Sequence, residues 1–576
     1  MQEKYNNDNF NGKIIIIGGV AAGTSAAVKA RRKSEDAEII IYDKYKYISY
    51  GTCGLPYFVS GKISSIDKLI INTVEQFERR FNIKVRVLHE VINIDPQAKT
   101  VKIRDLGTQK EFTDNYDKLI IATGTTPLIP DESLSRAKNV FSLRTIDDAC
   151  NLKEYISILT SKNTVSGTGA TYNRRPCAVI IGGGYIGLEL IDAFLLKDFE
   201  VTIIEKMDHI LPVFDYEIIE YLENYLNSRG VKILKNTEVE SFEQDGSKAI
   251  KEVRLSGGRK LKSDLIFLGI GARPDTRLAK KCGLFTGTSG AIIVNEYMQT
   301  SHADVYAAGD CCECRDFVSG IRQSYFLASI ANIQGRCAGY NAAGGDLRFT
   351  DSIPTSIIKV VDVSAAKTGI SFYMAKKLQL NAAKIELHAL NHAGYYPGAS
   401  MMHMLLIYDR VTGIVLGFEA IGKDGIDKKT DIISVAIRAK MKIWELLELN
   451  LCYHPEYGSA KDPVNILGMI GQNIEKGENS FIDVEELRDL IKKKDDIVII
   501  DVRSEKEFVA GHIEGAVNIA VDDLRERLNS LDKKSSIVLN CKTSYRSYLA
   551  YRILKNAGFE NVRNLNGSYL SWDRKL

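Results

Sequence analysis

The stretch Lys13-Ile14-Ile15-Ile16-Ile17-Gly18-Gly19-Val20-Ala21-Ala22-Gly23 decides the fold. Its apolar run predicts a buried parallel strand, its glycines a tight turn, and the Ala-rich Thr24–Arg32 behind them a helix. Glu38–Tyr42 reads as a second strand closing on Asp43. Strand, Gly turn, helix and a strand ending in an acid make the dinucleotide-binding βαβ unit. The glycines let backbone approach a pyrophosphate seated on the helix N-terminus, and the acid accepts from ribose hydroxyls. The unit recurs as Cys177–Ile181, the full GxGxxG of Gly182-Gly183-Gly184-Tyr185-Ile186-Gly187, and Val201–Ile204 closing on Glu205. One such turn alone is a weak signal; two units, each with its own strand, helix and acid, are a strong one. Val20 stands where the first copy would carry its second glycine.

Working outward, 576 residues leave room for about four domains. Lys plus Arg number 76 against 73 Asp plus Glu, so nothing in the charge calls for a nucleic-acid partner or a polybasic membrane anchor. Apolar residues at 45% and charged residues at 26% predict a globular chain and argue against disorder. Met1 to Lys13 is polar and Asn-rich, which predicts neither a signal nor a transit peptide, and no apolar run is long enough to span a bilayer. Ten cysteines without an even framework predict reduced thiols, hence a cytoplasmic protein.

Between the two units, Asp117-Lys118-Leu119-Ile120-Ile121-Ala122-Thr123-Gly124 is a strand ending in a small-residue turn, and Leu265–Gly271 echoes it. Ala303–Asp310 is a further strand ending in Gly309-Asp310. Here the chain resembles the two-dinucleotide flavoprotein disulfide reductases. The resemblance implies FAD in the first unit, held by Gly18, Gly19, Val20, Ala21, Ala22, Gly23, Asp43, Ser49, Thr123, Gly124, Gly309 and Asp310. It implies NAD(P)H in the second, held by Gly182, Gly184, Tyr185, Ile186, Gly187, Glu205 and Gly271. An acid at Glu205 accepts the 2′-hydroxyl of NADH and repels the 2′-phosphate of NADPH; Lys206 next door weakens that preference without reversing it. Thr160–Pro176 is Gly/Ser/Thr-rich and reads as a surface loop.

The resulting fold class is α/β. It comprises two Rossmann-like dinucleotide-binding domains; the resemblance implies an α+β dimerisation domain after them, and the last block, with Asp501-Val502-Arg503 and Cys541–Arg546, resembles a C-terminal α/β rhodanese domain. The FAD domain is expected over 1–150 and 273–348, with the NAD(P)H domain over 151–272 between its parts. The dimerisation domain follows over 349–472, a linker over 473–480 and the rhodanese domain over 481–576. The dimerisation domain implies a homodimer.

Cys53 lies in Ile48-Ser49-Tyr50-Gly51-Thr52-Cys53-Gly54-Leu55-Pro56-Tyr57, just after the first βαβ unit. Dithiol members of the resembled family carry a second cysteine five positions on, where this chain has Phe58. A single thiolate must then cycle through a mixed disulfide, a persulfide or a sulfenic acid. Gly54-Leu55-Pro56-Tyr57 reads as the opening of a helix whose dipole favours that thiolate.

The Ser-x-x-x-Cys-Gly-Leu-Pro-Tyr pattern resembles coenzyme A-disulfide reductases and the related NADH-dependent persulfide reductases, with Thr52 where those proteins have Asn. His392–Gly398 and Cys452–Tyr457 resemble segments that bring tyrosines of one subunit onto the other's active site, which implies Tyr395 and Tyr453 as phenols able to protonate a leaving thiolate. Lys29, Arg32, Ser49 and Arg80 match positions that contact coenzyme A, as substrate or as bound mixed disulfide.

In the last block, Ile497–Ile500 leads to Asp501-Val502-Arg503, then Glu507-Phe508 and Gly511-His512-Ile513-Glu514-Gly515-Ala516. Ile537–Asn540 ends at Cys541-Lys542-Thr543-Ser544-Tyr545-Arg546, with a helix Ser547–Asn556 behind it. A strand-to-helix loop opening with Cys turns its N–H groups toward the sulfur and accommodates a persulfide. The block resembles a rhodanese domain, and its Cys-x4-Arg loop has the sulfur-transfer length, one residue short of a phosphatase loop. The resemblance implies Cys541 and Arg546 at the reactive loop, with Asp501 and Arg503 bracing the domain. Cys311, Cys312 and Cys314 lack a paired spacing for zinc; they are expected to begin the helix beneath the flavin, and no metal site is expected.

The reading is an FAD-dependent, NAD(P)H-using reductase of CoA disulfide, CoA persulfide or polysulfide. It acts through Cys53, with Cys541 handling sulfane sulfur. The alternative is an NADH peroxidase or oxidase cycling Cys53 through sulfenic acid. A non-catalytic sulfur-relay scaffold would require the flavin part to be colourless.

Overall fold

The computed structural model describes residues 10–161, 174–244, 246 and 248–574, so most of the loop expected over 160–176 lies outside the described residues. The chain folds into two compact units, Met1–Asp208 with Leu234–Pro354, and His209–Ile233 with Thr355–Leu576.

The first unit carries two parallel sheets. In one, strands run Val305–Ala307, Lys118–Ile121, Lys13–Ile17, Glu38–Tyr42 and Lys84–Arg86. Lys13–Ile17 is central, with Ile16 opposite Ile41 on one side and Ile120 on the other. Covered on both faces, it is continuously apolar rather than alternating. The helix Ala21–Lys33 packs so tightly on Ala328–Ala342 that a Cβ on Gly335 would overlap the Ala22 carbonyl, and one on Gly339 that of Ala26. The second sheet repeats the plan, with Glu200–Ile204, Cys177–Ile181, Leu265–Leu268 and Val140–Phe141 side by side in that order.

The second unit joins an antiparallel sheet to a parallel one. The antiparallel sheet runs Thr355–Val360, Val363–Gly369, Val415–Gly422, Met401–Asp409 and Ala382–Leu390, with the helix Ile426–Arg438 laid on it. The parallel sheet runs Phe481–Ile482, Val562–Leu565, Ser536–Asn540, Ile497–Asp501 and Val517–Asn518. The helix Pro463–Glu475 extends three residues into the stretch expected as a linker. Arg574 bridges Glu220 at 2.6 Å and Glu485 at 3.0 Å, tying the chain end to the helix Tyr216–Ser228. Among the described residues no helix is long and apolar enough to cross a membrane.

Candidate functional site

The first glycine turn closes on itself. Gly18 has φ +105°, and a Cβ there would overlap the Ala122 carbonyl; one on Gly23 would overlap Gly18. The helix Ala21–Lys33 starts with no side-chain cap and no acid in its first turn, leaving its N–H groups for an anion. Asp43 is buried and accepts from Gly19 N–H at 2.6 Å and Tyr45 N–H at 2.7 Å. Burial raises its carboxyl, and those two bonds oppose the rise. Asp310 is likewise raised by burial and lowered by Arg144. The backbone N–H of Gly309, beside Asp310, donates to Gln334 Oε1 at 2.9 Å, and Thr123 Oγ1 donates to the Asp275 carbonyl at 2.6 Å.

Arg144 escaped the sequence reading. Its guanidinium also acts on Asp43 and Tyr50, and it crowds Gly124, where a Cβ would lie 2.5 Å from Nη2. It follows the short strand Val140–Phe141 without any motif, so only the folded chain brings it within electrostatic reach of both Asp43 and Asp310.

The second turn repeats the device. Gly182 has φ +94°, and Glu205 is buried, accepting from Gly183 N–H at 2.7 Å and Met207 N–H at 2.8 Å. Lys206 turns to Glu238 at 3.1 Å, which blunts its weakening of the acid. Tyr185–Glu189 begins the following helix without a side-chain cap. Gly271 has φ +106°, and its carbonyl accepts from Leu128 N–H at 3.0 Å.

Cys53 is exposed, on the 3-10 turn Thr52–Gly54 that feeds the helix Leu55–Ser60. Tyr57 on that helix donates to Glu189 Oε1 at 3.3 Å, and burial pushes Glu189 up to about 7. Ser49, at φ +49°, accepts from Asn72 Nδ2 at 3.2 Å, and Asn72 Oδ1 accepts from Arg80 at 3.1 Å. Asn72 thus joins two residues expected to contact coenzyme A. Lys29 lies 4.5 Å over the Tyr340 ring; burial, then Arg336 and Arg32, lower its ammonium.

Cys311, Cys312 and Cys314 do not begin a helix. Cys312 N–H closes a turn on the Gly309 carbonyl, Cys314–Arg315 pairs antiparallel with Arg322–Gln323, and the helix starts only at Ala328. The reason is the Asp316–Ile321 turn, which folds the chain back as a hairpin first. All three thiols are buried, and burial pushes Cys311 up to about 11 and Cys314 to about 12. Among the described residues no cluster suits a metal ion.

In the second unit, the Tyr395 and Tyr453 hydroxyls lie 2.9 Å apart, both exposed. Ala393 N–H, bonded to the Pro455 and Gly458 carbonyls, holds their loops together. Cys541 follows the strand Ser536–Asn540 and is only 1% exposed. Its N–H donates to Ser568 Oγ at 3.1 Å, while the Ser547 and Ser568 hydroxyls reach its sulfur at 3.5 and 3.8 Å. Neither serine was foreseen. Arg546 forks onto Glu507 at 2.7 and 2.8 Å, and Arg503 onto Asp501, where the shortest contact is 2.6 Å.

Residues 12–335 match the pyridine nucleotide-disulphide oxidoreductase family, which is more than half of the chain. The chain belongs to that family. Residues 355–462 match its dimerisation domain and 483–575 a rhodanese-like domain. The chain is 34% identical to reduced CoADR-RHD of Bacillus anthracis, with a TM-score of 0.91 over 98% of each chain. It is 31% identical over 464 residues to the NAD(P)H coenzyme A polysulfide/persulfide reductase of Pyrococcus horikoshii, covering 80% of this chain and 99% of that one. It is also 31% identical over 455 residues to an NADH oxidase of Methanocaldococcus jannaschii, covering 79% and 97%.

The family's cofactors are FAD and NAD(P)H, and both turns of this oxidoreductase fit them. A Cβ at Gly184 would meet only the Gly269 carbonyl at 3.3 Å, so the chain itself does not fill the space before the second helix. The uncapped N-termini at Ala21 and Tyr185 supply the matching N–H groups.

Proposed function

We propose that this oxidoreductase reduces CoA persulfide, polysulfide or CoA disulfide with NAD(P)H, as a cytoplasmic homodimer. One observation carries the reading. An exposed thiol, Cys53, follows by four residues Ser49, whose N–H bonds the Gly19 carbonyl of the first nucleotide turn, on the same chain as a second thiol cradled by hydroxyls.

FAD would rest on Gly18–Gly23 with Asp43, Ser49, Thr123, Gly124, Gly309 and Asp310. The nicotinamide nucleotide would rest on Gly182–Gly187 with Glu205 and Gly271, and Glu205 favours NADH. Bound, these cofactors supply an electron pair, delivered as hydride from the nicotinamide.

Cys53 thiolate attacks the CoA-side sulfur of a CoA persulfide, forming Cys53–S–S–CoA and expelling hydrosulfide. Tyr395 and Tyr453, from the second subunit, give the leaving sulfur its proton; their 2.9 Å contact lets one phenol support the other. The mixed disulfide accepts the electron pair, its S–S bond breaks, Cys53 returns as thiolate and CoA leaves as the thiol. Lys29, Arg32, Ser49 and Arg80 hold the CoA nucleotide. Cys541 carries sulfane sulfur as Cys541–S–SH, with Arg546 at the loop.

The test is an intact-mass spectrum under non-reducing conditions with peptide mapping. A CoA-sized adduct on Cys53 that dithiothreitol removes is the expected result. The Methanocaldococcus relative favours a second reading, in which Cys53 cycles through sulfenic acid with peroxide or oxygen. Oxygen on an unadducted Cys53 would put that reading first.

A further inference from the structure

We propose that Glu507 sets the sulfur donor of the Cys541 loop: by occupying Arg546 it turns away oxyanionic donors such as thiosulfate and leaves hydropersulfides and polysulfides as substrates. The proposal rests on the reading of Cys541 as a sulfur carrier.

Either donor is used by the same step. Cys541 thiolate attacks the terminal sulfane sulfur, a new S–S bond forms, the old S–S bond breaks, and its electron pair leaves with the other fragment. From a hydropersulfide that fragment is a thiolate with one charge on one sulfur. From thiosulfate it is sulfite, a dianion with charge spread over three oxygens. Such a leaving group is stabilised by N–H donors fixed in a fork, which is what a free guanidinium provides.

The guanidinium of Arg546 in the loop, and that of Arg503, which lies over the ring of Tyr569 whose N–H bonds the Cys541 carbonyl, are both already taken. Arg546 gives Nη1 and Nη2 to the two Glu507 oxygens at 2.7 and 2.8 Å. Arg503 is buried, forked onto Asp501, and its Nη2 also bonds the Gly511 carbonyl at 2.7 Å. Glu507 is fixed from its own side as well: Ser504 N–H and Oγ reach its Oε2 at 3.2 and 3.0 Å, in a capping box on the helix Glu505–Val509. Arg546 first, then Ser504, hold the Glu507 carboxyl down to about 2, so the pair stays ionic at any working pH. An arriving dianion therefore meets a neutralised guanidinium and a carboxylate. Lys542 is the other cation of the 541–546 loop, an exposed point charge without the fork. The Ser547 and Ser568 hydroxyls serve the sulfur atom itself, which both donor classes share.

The test uses the full-length protein and follows thiocyanate formed from cyanide, with thiosulfate or glutathione persulfide as donor. The wild type should favour the persulfide in kcat/KM by about a hundredfold or more. Glu507→Gln keeps the capping hydrogen bonds but gives up the charge, and should raise the thiosulfate-to-persulfide ratio about tenfold. Adding Arg546→Met should take that gain away. Wild type using both donors equally, or a ratio unmoved by Glu507→Gln, overturns the proposal; the wild-type ratio decides even where a variant folds badly. Transfer that survives Cys541→Ser would instead overturn the carrier reading, and the donor rule with it.

Discussion

Glu189 is a carboxyl held in an environment that prefers it protonated, and that preference costs stability in a definite pH window. Burial lifts it from 4.5 to about 7, and the Tyr57 hydroxyl, donating at 3.3 Å, opposes only part of the rise. A raised carboxyl pKa means the folded state binds more protons than the unfolded chain between the two values, so stability falls as pH rises through that interval. The cost is absent below about 4.5, grows toward 7 and is complete above it. A shift of this size corresponds to about 3 kcal/mol, reduced to about 2 kcal/mol by solvent reaching the exposed part of the side chain. Glu189→Gln keeps an acceptor for Tyr57 and discards the charge. With saturating FAD, the variant should gain about 2 kcal/mol over wild type at pH 8.5 and less than about 1 kcal/mol at pH 5, read from urea midpoints at each pH. Comparing variant with wild type at both pH values cancels the other titrations. An infrared carboxylic-acid band that fades through pH 7 in wild type and is missing in the variant would identify the group. An equal gain at both pH values would refute the reasoning, since a packing effect does not titrate.

Gly335→Ala forces a Cβ into the Ala22 backbone, which cannot rotate away; the expected cost is about 3 kcal/mol, with FAD lost on purification, measured by melting and by the absorbance ratio. Tyr395→Phe and Tyr453→Phe should each lower kcat with CoA persulfide by about tenfold or more, and the double variant by little further, because the two hydroxyls form one hydrogen-bonded pair. Arg144→Gln leaves Asp43 and Asp310 without their shared cation and should weaken FAD binding by about tenfold or more in a fluorescence titration.

What was legible in the sequence is what is local along the chain. A run such as Ile14–Ile17 can be apolar throughout only if both faces are covered, and Gly18 at φ +105° is a backbone demand that a side chain would violate. The nucleotide turns, the strands behind them and the Cys541 loop all follow from such neighbours. Arg144, Asn72, Glu189 and Ser568 do not. Each reaches its site across tens or hundreds of residues; Ser568 meets Cys541 only because the strand Val562–Leu565 pairs beside Ser536–Asn540. The Cys311–Cys314 stretch went astray for a related reason. Its residues suit a helix start as well as a turn, and the Asp316 carboxylate, which accepts from Val318 and Ser319 N–H groups, fixes the hairpin instead.

The two thiols differ in the direction that their proposed adducts require. A mixed disulfide with CoA puts a long pantetheine arm on the sulfur, so the carrying cysteine needs a position that no packed side chain of its own chain covers, and Cys53 lies exposed on the short turn Thr52–Gly54. A persulfide adds a single atom and is destroyed by any passing thiol, so its carrier gains from being enclosed. Cys541 is enclosed, 1% exposed, with the Ser547 and Ser568 hydroxyls as hydrogen-bond donors to its sulfur. On the proposed roles, exchanging the two environments would deny Cys53 the room for its CoA adduct and Cys541 the shelter for its persulfide. That is a stronger argument for the division of labour than the presence of either cysteine alone.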